Sequence, residues 1–323
     1  MSDSEKRLVS VVVPCYNEEN MIEAFLERIR CVAQGLPEYA FEYVFVDDGS
    51  RDGTAARVVD EAGHDPRVKL VRLSRNFGHQ RAITAGLDFC QGNFVVVIDA
   101  DLQDPPEAIP EILGRLSGDC DLVHMVRSDR TVDSAAKRIS ARLFYAVMHR
   151  YVLPELAEDG PDFKGFNRQV LEALRLYRER VRFMRGILAT LGFRQVSISY
   201  VRLPRYRGES KYPIRKILAL ARDAVVSFSV IPLRLGFIVG IPALAFAFLF
   251  GISGLVWHFA FGGLRTPGET VIITLICGFS GLILMALGAI GEYLGCLIRE
   301  AKQRPLYIVR SVVNVTPNSA GNT

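Results

Sequence analysis

Glycine-rich phosphate loops are missing from this sequence. No GxGxxG follows its first strand pattern and no stretch has P-loop spacing, which disfavours a dehydrogenase and a P-loop NTPase. Its six cysteines, Cys15, Cys31, Cys90, Cys120, Cys277 and Cys296, form no CxxC and keep no ligand spacing with histidine. They read as reduced or membrane-buried thiols, not as a disulfide frame or a zinc site. Excess charge is also scarce: a net +4 over 323 residues leaves nucleic acid outside the expected partners. The opening "MSDSEKRLVS" has no apolar stretch before the first strand pattern, so no cleaved signal peptide is expected.

Apolar surface is plentiful. Half the residues are hydrophobic and the mean hydropathy is +0.20, high for a water-soluble chain. No charge interrupts the stretch between Arg234 and Arg265, with His258 neutral, or that between Glu269 and Glu292. About 20 apolar residues cross a 30 Å hydrocarbon layer, so both stretches are predicted to span a membrane, the alternative being two buried helices of a soluble core. The short link "FGGLRTPGE" makes them antiparallel. Arg215, Lys216, Arg222 and Arg234 precede the pair and Arg299, Lys302 and Arg304 follow it, against Arg265 in the link. That bias predicts both termini in the cytoplasm. The amphipathic run "IRKILALARDAVVSFSV" is predicted to lie along the interface. The expected divisions are a cytoplasmic α/β domain over 1–212, a juxtamembrane helix over 213–233, two membrane helices over 234–298 and a cytoplasmic tail over 299–323.

Strand and helix patterns alternate through the first 200 residues. "LVSVVVPCYNE", "FEYVFVDDGS", "VKLVRLS" and "NFVVVIDAD" read as strands, separated by "NMIEAFLERIRCVAQGL", "DGTAARVVDEAG" and "HQRAITAGLDFCQG", which have helical spacing. Such βα units predict a mostly parallel sheet with ligands at the carboxyl ends of its strands. Three polar clusters, "PCYNEE", "DDGS" and "DADLQD", fall there. In the last, Asp99, Asp101 and Gln103 stand two apart and share a face if the strand stays extended, an oxygen set suited to Mg²⁺ or Mn²⁺ bridging a diphosphate. The plainer alternative is an acidic loop in which Asp104 caps a helix and Pro105 occupies its first turn.

The motifs "VVVPCYNEE", "VFVDDGSRDGT", "LSRNFGHQRAITAGLD", "VVVIDADLQDPPE", "DFKGFNR" and "RYRGESKY", in this order before two apolar spans, resemble the GT-A glycosyltransferases of family 2. More narrowly they resemble those that move a sugar onto polyprenyl phosphate, the bactoprenol glucosyltransferases above the dolichol phosphate mannose synthases and aminoarabinose transferases. The resemblance implies that Pro14, Tyr16, Glu18, Val46 and Asp48 hold the nucleoside, that Asp99 and Ala100 lie beside the donor's ribose and sugar, and that Asp101 and Gln103 ligate Mg²⁺ or Mn²⁺. It implies Arg127, Arg138 and Arg142 as ligands of the lipid phosphate, joined by Arg207 and Lys211 from a loop over the site. Asp162 matches an acidic residue near the attacking phosphate, with a positioning role and at most weak general-base assistance; Pro161 stands where relatives commonly have glycine. Asp99, Asp162, Arg127 and Arg138 form the expected catalytic set, while His79 and His124 read as structural.

The implied reaction is inverting transfer of a hexose from a nucleotide sugar, UDP-glucose first, to undecaprenyl phosphate at the cytoplasmic face of the inner membrane. GDP-mannose and a UDP-aminoarabinose-type donor are the alternatives. The resemblance also implies a homo-oligomer, a tetramer. A processive polysaccharide synthase is excluded, because the one tryptophan, Trp257, lies in an expected span and QxxRW cannot form. A catalytically inactive, nucleotide-sensing membrane scaffold is the rival from another class, opposed by the intact acidic and basic motifs.

Overall fold

The computed structural model describes residues 6–128, 162–180, 182, 184–201 and 268–315, with single positions between 242 and 260. The chain divides into two compact units. One joins Met1–His149, Leu153–Tyr212 and Arg304–Thr323; the other joins Arg150–Val152 and Pro213–Gln303.

The first unit is built on one mixed sheet. Strands β1 (Arg7–Cys15), β2 (Tyr39–Asp47), β3 (Val68–Leu73) and β4 (Phe94–Val97) are near-continuous apolar runs, as expected of strands covered on both faces. Helices α1 (Ile22–Gln34), α2 (Thr54–His64) and α3 (His79–Phe89) connect them. α1 and α2 each bury one apolar stripe, whereas α3 buries residues 82–87 in succession; the stripe of α1 places Phe25 edge-on to Phe45 with ring centroids 5.9 Å apart. Burying a side chain of this size contributes about 1.5–3 kcal/mol. After α4 (Ile109–Leu116) come β5 (Leu122–Arg127), β6 (Lys164–Asn167), α5 (Arg168–Leu176), α6 (Met184–Thr190) and β7 (Gln195–Tyr200).

The sheet order is β7-β5-β6-β4-β1-β2-β3-β8, where β8 is Val309–Val313. Pairing is parallel at β1–β2, β1–β4, β2–β3 and β5–β7, and antiparallel at β4–β6, β5–β6 and β3–β8. Part of the stretch expected to be a tail is thus the edge strand of the same sheet. Tyr307 Oη reinforces it by donating to Asp88 Oδ2 at 2.6 Å, beside the Arg178–Asp88 ion pair.

In the second unit, α7 (Gly268–Ala301) covers the second expected span. Among the described residues it is the helix long and apolar enough to cross a membrane, with its candidate segment at Leu282–Ala301. The first expected span and the juxtamembrane helix lie outside the described residues, apart from the single positions.

One local expectation needs correction. β4 ends at Val97, a turn covers Ala100 and Asp101 and Leu102 has φ 57°, so the chain leaves extended geometry between Asp99 and Gln103. Asp99, Asp101 and Gln103 therefore do not share a strand face; they line a turn.

Candidate active site

The first two strand ends form one stitched unit. Pro14 pairs with Val46 and Cys15 with Asp47. Beyond them Asn17 N–H donates to Ser50 Oγ at 3.0 Å, Arg51 N–H to Asn17 Oδ1 at 2.9 Å and Glu18 N–H to Thr54 Oγ1 at 2.9 Å. Gly49, at φ +70°, allows the tight approach: a Cβ there would lie 2.4 Å from the Arg75 backbone. Tyr16 is 40 % exposed at the rim. Asp48 is buried, and its oxygens accept from Phe77 N–H at 2.7 Å and Gly78 N–H at 2.9 Å. Its carboxylate holds the loop that leads into α3; burial raises its pKa while those two bonds work against the rise.

At the β4–β6 end the structure assembles a charged cluster. Asp162 Oδ2 accepts from Gln80 Nε2 at 2.6 Å and lies 3.1 Å from His79 Nε2. Its Oδ1 lies 3.4 Å from Lys164 Nζ and 3.9 Å from Arg185 Nε. Asp99 Oδ1 is 3.5 Å from the same His79 nitrogen. Burial alone would raise the Asp162 pKa, but Lys164, His79 and Arg185 hold it far below the usual carboxylate range. Burial, with Asp162, Asp101 and Asp104, pushes Asp99 up to about 6 against the pull of His79. Burial opposes charge on His79, yet Asp99 and Asp162 lift it to about 9. Lys164 is pulled by burial down to about 8 in spite of Asp162.

His79, which reads as structural from the sequence, stands beside both carboxylates. It opens a helix directly after a strand, the position where ligands of such sheets gather, and that is the signal that could have found it, together with Gln80. Lys164 and Arg185 carried no such signal. His124 is buried, its Nε2 lies 2.8 Å from Gln195 Oε1, and burial with Lys164 and Arg185 lowers it to about 4.

The acidic turn also differs from the capping alternative. The short 3₁₀ turn Pro106–Ala108 has no side-chain cap, and Pro106 rather than Pro105 begins it. Asp104 is buried and accepts a hydrogen bond from the Tyr200 hydroxyl. Tyr200 is the register partner of Arg127 and also meets its side chain. The turn is thereby tied to the ends of β5 and β7. Arg127 Nε is buried without a hydrogen-bond partner among the described residues.

Asp101 Oδ1 accepts from Gln103 N–H at 3.1 Å. No group of three or more His, Cys, Asp or Glu residues is arranged to hold a metal among the described residues. One carboxylate and one amide oxygen beside acids in excess suit a hard cation that takes its remaining ligands from diphosphate and water. A self-sufficient protein cage is not what these residues make. Arg138, Arg142, Arg207 and Lys211 lie outside the described residues, as does Pro161.

A model described as glycosyl transferase family 2 matches residues 10–175. The chain is 40 % identical over 301 residues to the uncharacterized glycosyltransferase YkcC of Bacillus subtilis (strain 168), covering 93 % of each. It is 37 % identical over 303 residues to the bactoprenol glucosyl transferase of Shigella phage SfV, covering 94 % of this chain and 98 % of that one. Among solved structures, the mannosyltransferase PcManGT from Pyrobaculum calidifontis, in complex with GDP-Man and Mn²⁺, aligns with a TM-score of 0.45 at 19 % identity, covering 90 % of this chain and 88 % of that one.

Proposed function

This chain belongs to glycosyl transferase family 2, and on that premise we propose that it moves a hexose from a nucleotide sugar, UDP-glucose first, to polyprenyl phosphate at a membrane surface. The observation that carries the reading is the approach of Asp99 and Asp162 to the same His79 nitrogen, with Arg127, whose Nε has no hydrogen-bond partner among the described residues, at a neighbouring strand end. The bactoprenol glucosyl transferases to which it is similar over nearly their whole length support glucose as the sugar and a polyprenyl phosphate as the acceptor.

In this reading the stitched loops of β1 and β2 supply the nucleoside slot, with Pro14 and Val46 as floor and Tyr16 at the rim. Asp99 and Ala100 stand beside the ribose and sugar, and Asp101 and Gln103 would hold Mg²⁺ or Mn²⁺. That ion would offset the charge that develops on the departing diphosphate. A lipid phosphate oxygen attacks the anomeric carbon as the bond to the diphosphate breaks, and the configuration inverts. The phosphate is already ionised at neutral pH, so no proton has to be removed. Asp162, held so far below its usual range, is a poor proton acceptor. Its work is positioning: it gathers His79, Gln80, Lys164 and Arg185. Arg127, with Arg138, Arg142, Arg207 and Lys211, would grip the phosphate, where a guanidinium fork offers paired donors.

Two membrane spans remain part of the proposal. β8 belongs to the same sheet as β1–β7, so the intervening chain must cross a membrane an even number of times or not at all. The apolar stretch after Arg234 would supply the crossing that pairs with α7. At 34 residues α7 is about 51 Å long, more than a 30 Å layer needs, so part of it would project beyond the layer.

Membranes containing the chain, given polyprenyl phosphate and radiolabelled UDP-glucose, GDP-mannose or a UDP-aminoarabinose-type donor, test this by solvent extraction of labelled lipid. The expected result is product from UDP-glucose that a chelator abolishes, and a loss of about 100-fold or more in Asp101→Asn. Absence of labelled lipid from every donor would sink the reading.

A further inference from the structure

The antiparallel β4–β6 ladder pairs Val97 with Lys164. Two residues outward on each chain stand Asp99 and Asp162. Two carboxylates brought together just beyond the end of a ladder repel each other. His79 Nε2 lies within 3.1 Å of one and 3.5 Å of the other. The two carboxylates belong to the two halves of the proposed reaction, Asp99 to the donor and Asp162 to the acceptor.

Nothing in the stability of α3 calls for a cation at this point. A positive charge in the first turn opposes the helix dipole. The surroundings nevertheless hold the residue there from several sides. Asp48 fixes the backbone of Phe77 and Gly78, and Gln80, the next residue, binds the same Asp162 oxygen. Gly86 seats the helix close against β1 and β2. The side chain of His79 is still 41 % exposed. A rigidly placed, partly open cation between two substrate-facing carboxylates is what a positioning device requires.

We propose that His79 is a positioning residue for the transfer step: its ring bridges Asp99 and Asp162 and sets the gap across which the sugar passes from donor to acceptor. The inference rests on the glycosyl-transfer reading above. It assigns to His79 the alignment of the two substrates and not the binding of either one.

The test uses the full chain in membranes, with three readouts: kcat, KM for polyprenyl phosphate and calorimetric affinity for the nucleotide sugar. His79→Gln should lower kcat about 100-fold, the scale of a reacting pair misplaced by about 1 Å. Donor affinity should stay within about threefold, since the nucleoside slot is built elsewhere. His79→Lys restores a charge between the carboxylates and should recover about tenfold of that loss. Wild-type kcat in His79→Gln, a loss of donor affinity in proportion to rate, or a Lys variant as slow as the Gln variant would each overturn the proposal. So would a fall in thermal midpoint of both variants large enough to account for the lost rate. Failure of the wild-type chain to make labelled lipid would instead overturn the glycosyl-transfer reading itself, so the two failures are distinguishable.

Discussion

Two histidines with the same intrinsic chemistry end in opposite charge states here, and neighbours rather than spacing make the difference. His79 faces two carboxylates and is lifted to about 9, whereas burial beside Lys164 and Arg185 lowers His124 to about 4. For His124 the sign of the pH effect follows directly. As pH falls through about 6.5 the unfolded chain takes up a proton that the folded chain refuses until about 4. Its stabilising contribution is therefore complete above about 6.5 and is lost on the way down to about 4, with an upper value on the order of 3 kcal/mol. Asp99, raised to about 6, acts with the opposite sign, so the comparison must be between chains. Thermal midpoints at pH 7 and pH 5 should fall more for the wild type than for His124→Gln; parallel falls would show that His124 does not drive the loss.

At the scale of elements, α3 is the part that joins the strand ends. Its first turn reaches Asp162 and Asp99, and its body lies so close to the sheet that a Cβ on Gly86 would come within 2.3 Å of Val12 Cγ1 and 3.0 Å of Val46 Cγ2. β-branched side chains cannot swing aside easily, so Gly86→Ala should push the helix outward and cost about 1–3 kcal/mol of stability. Transfer should fall too, because the first turn moves with the helix. Val12→Ala makes room, and the double variant should be more stable than the sum of the single changes allows. Melting curves and transfer rates for the three variants check this; a Gly86→Ala chain equal to wild type in both would show that the packing is softer than the contact distances imply. The strand and helix pattern of this region was legible because its apolar runs are long and α1 and α2 each have one buried stripe. The length of β4 was not. The pattern "NFVVVIDAD" reads as strand into the acidic motif, whereas the turn at Ala100 and Asp101 and the left-handed Leu102 end the extension within it.

For the whole molecule, the return of β8 to the sheet is the strongest constraint on topology. If the apolar region crosses a membrane, everything from β1 to β7 lies on the same side as β8. Single cysteines in an otherwise cysteine-free chain, probed with a membrane-impermeant maleimide, should report this. Thr266→Cys should label only from outside, Ser4→Cys and Asn318→Cys only from the cytoplasmic side. Labelling of Ser4→Cys from outside would reverse the orientation, and opposite sides for Ser4→Cys and Asn318→Cys would contradict the even number of crossings.

By itself the sequence determined the βα alternation, the polar clusters at strand ends, the apolar helix after residue 268 and the membership of a glycosyltransferase family. These depend on local periodicity, composition and short motifs, all written along one stretch of chain. Only the tertiary structure decided that Asp99 and Asp162 meet, that His79 stands between them, that Asp104 serves Tyr200 rather than a helix end, and that residues 309–313 complete the sheet. Each of these joins parts of the chain far apart in sequence, such as Asp104 and Tyr200 or β3 and β8. Pairings of that kind are set by strand register and helix packing, which no periodicity within a single segment records.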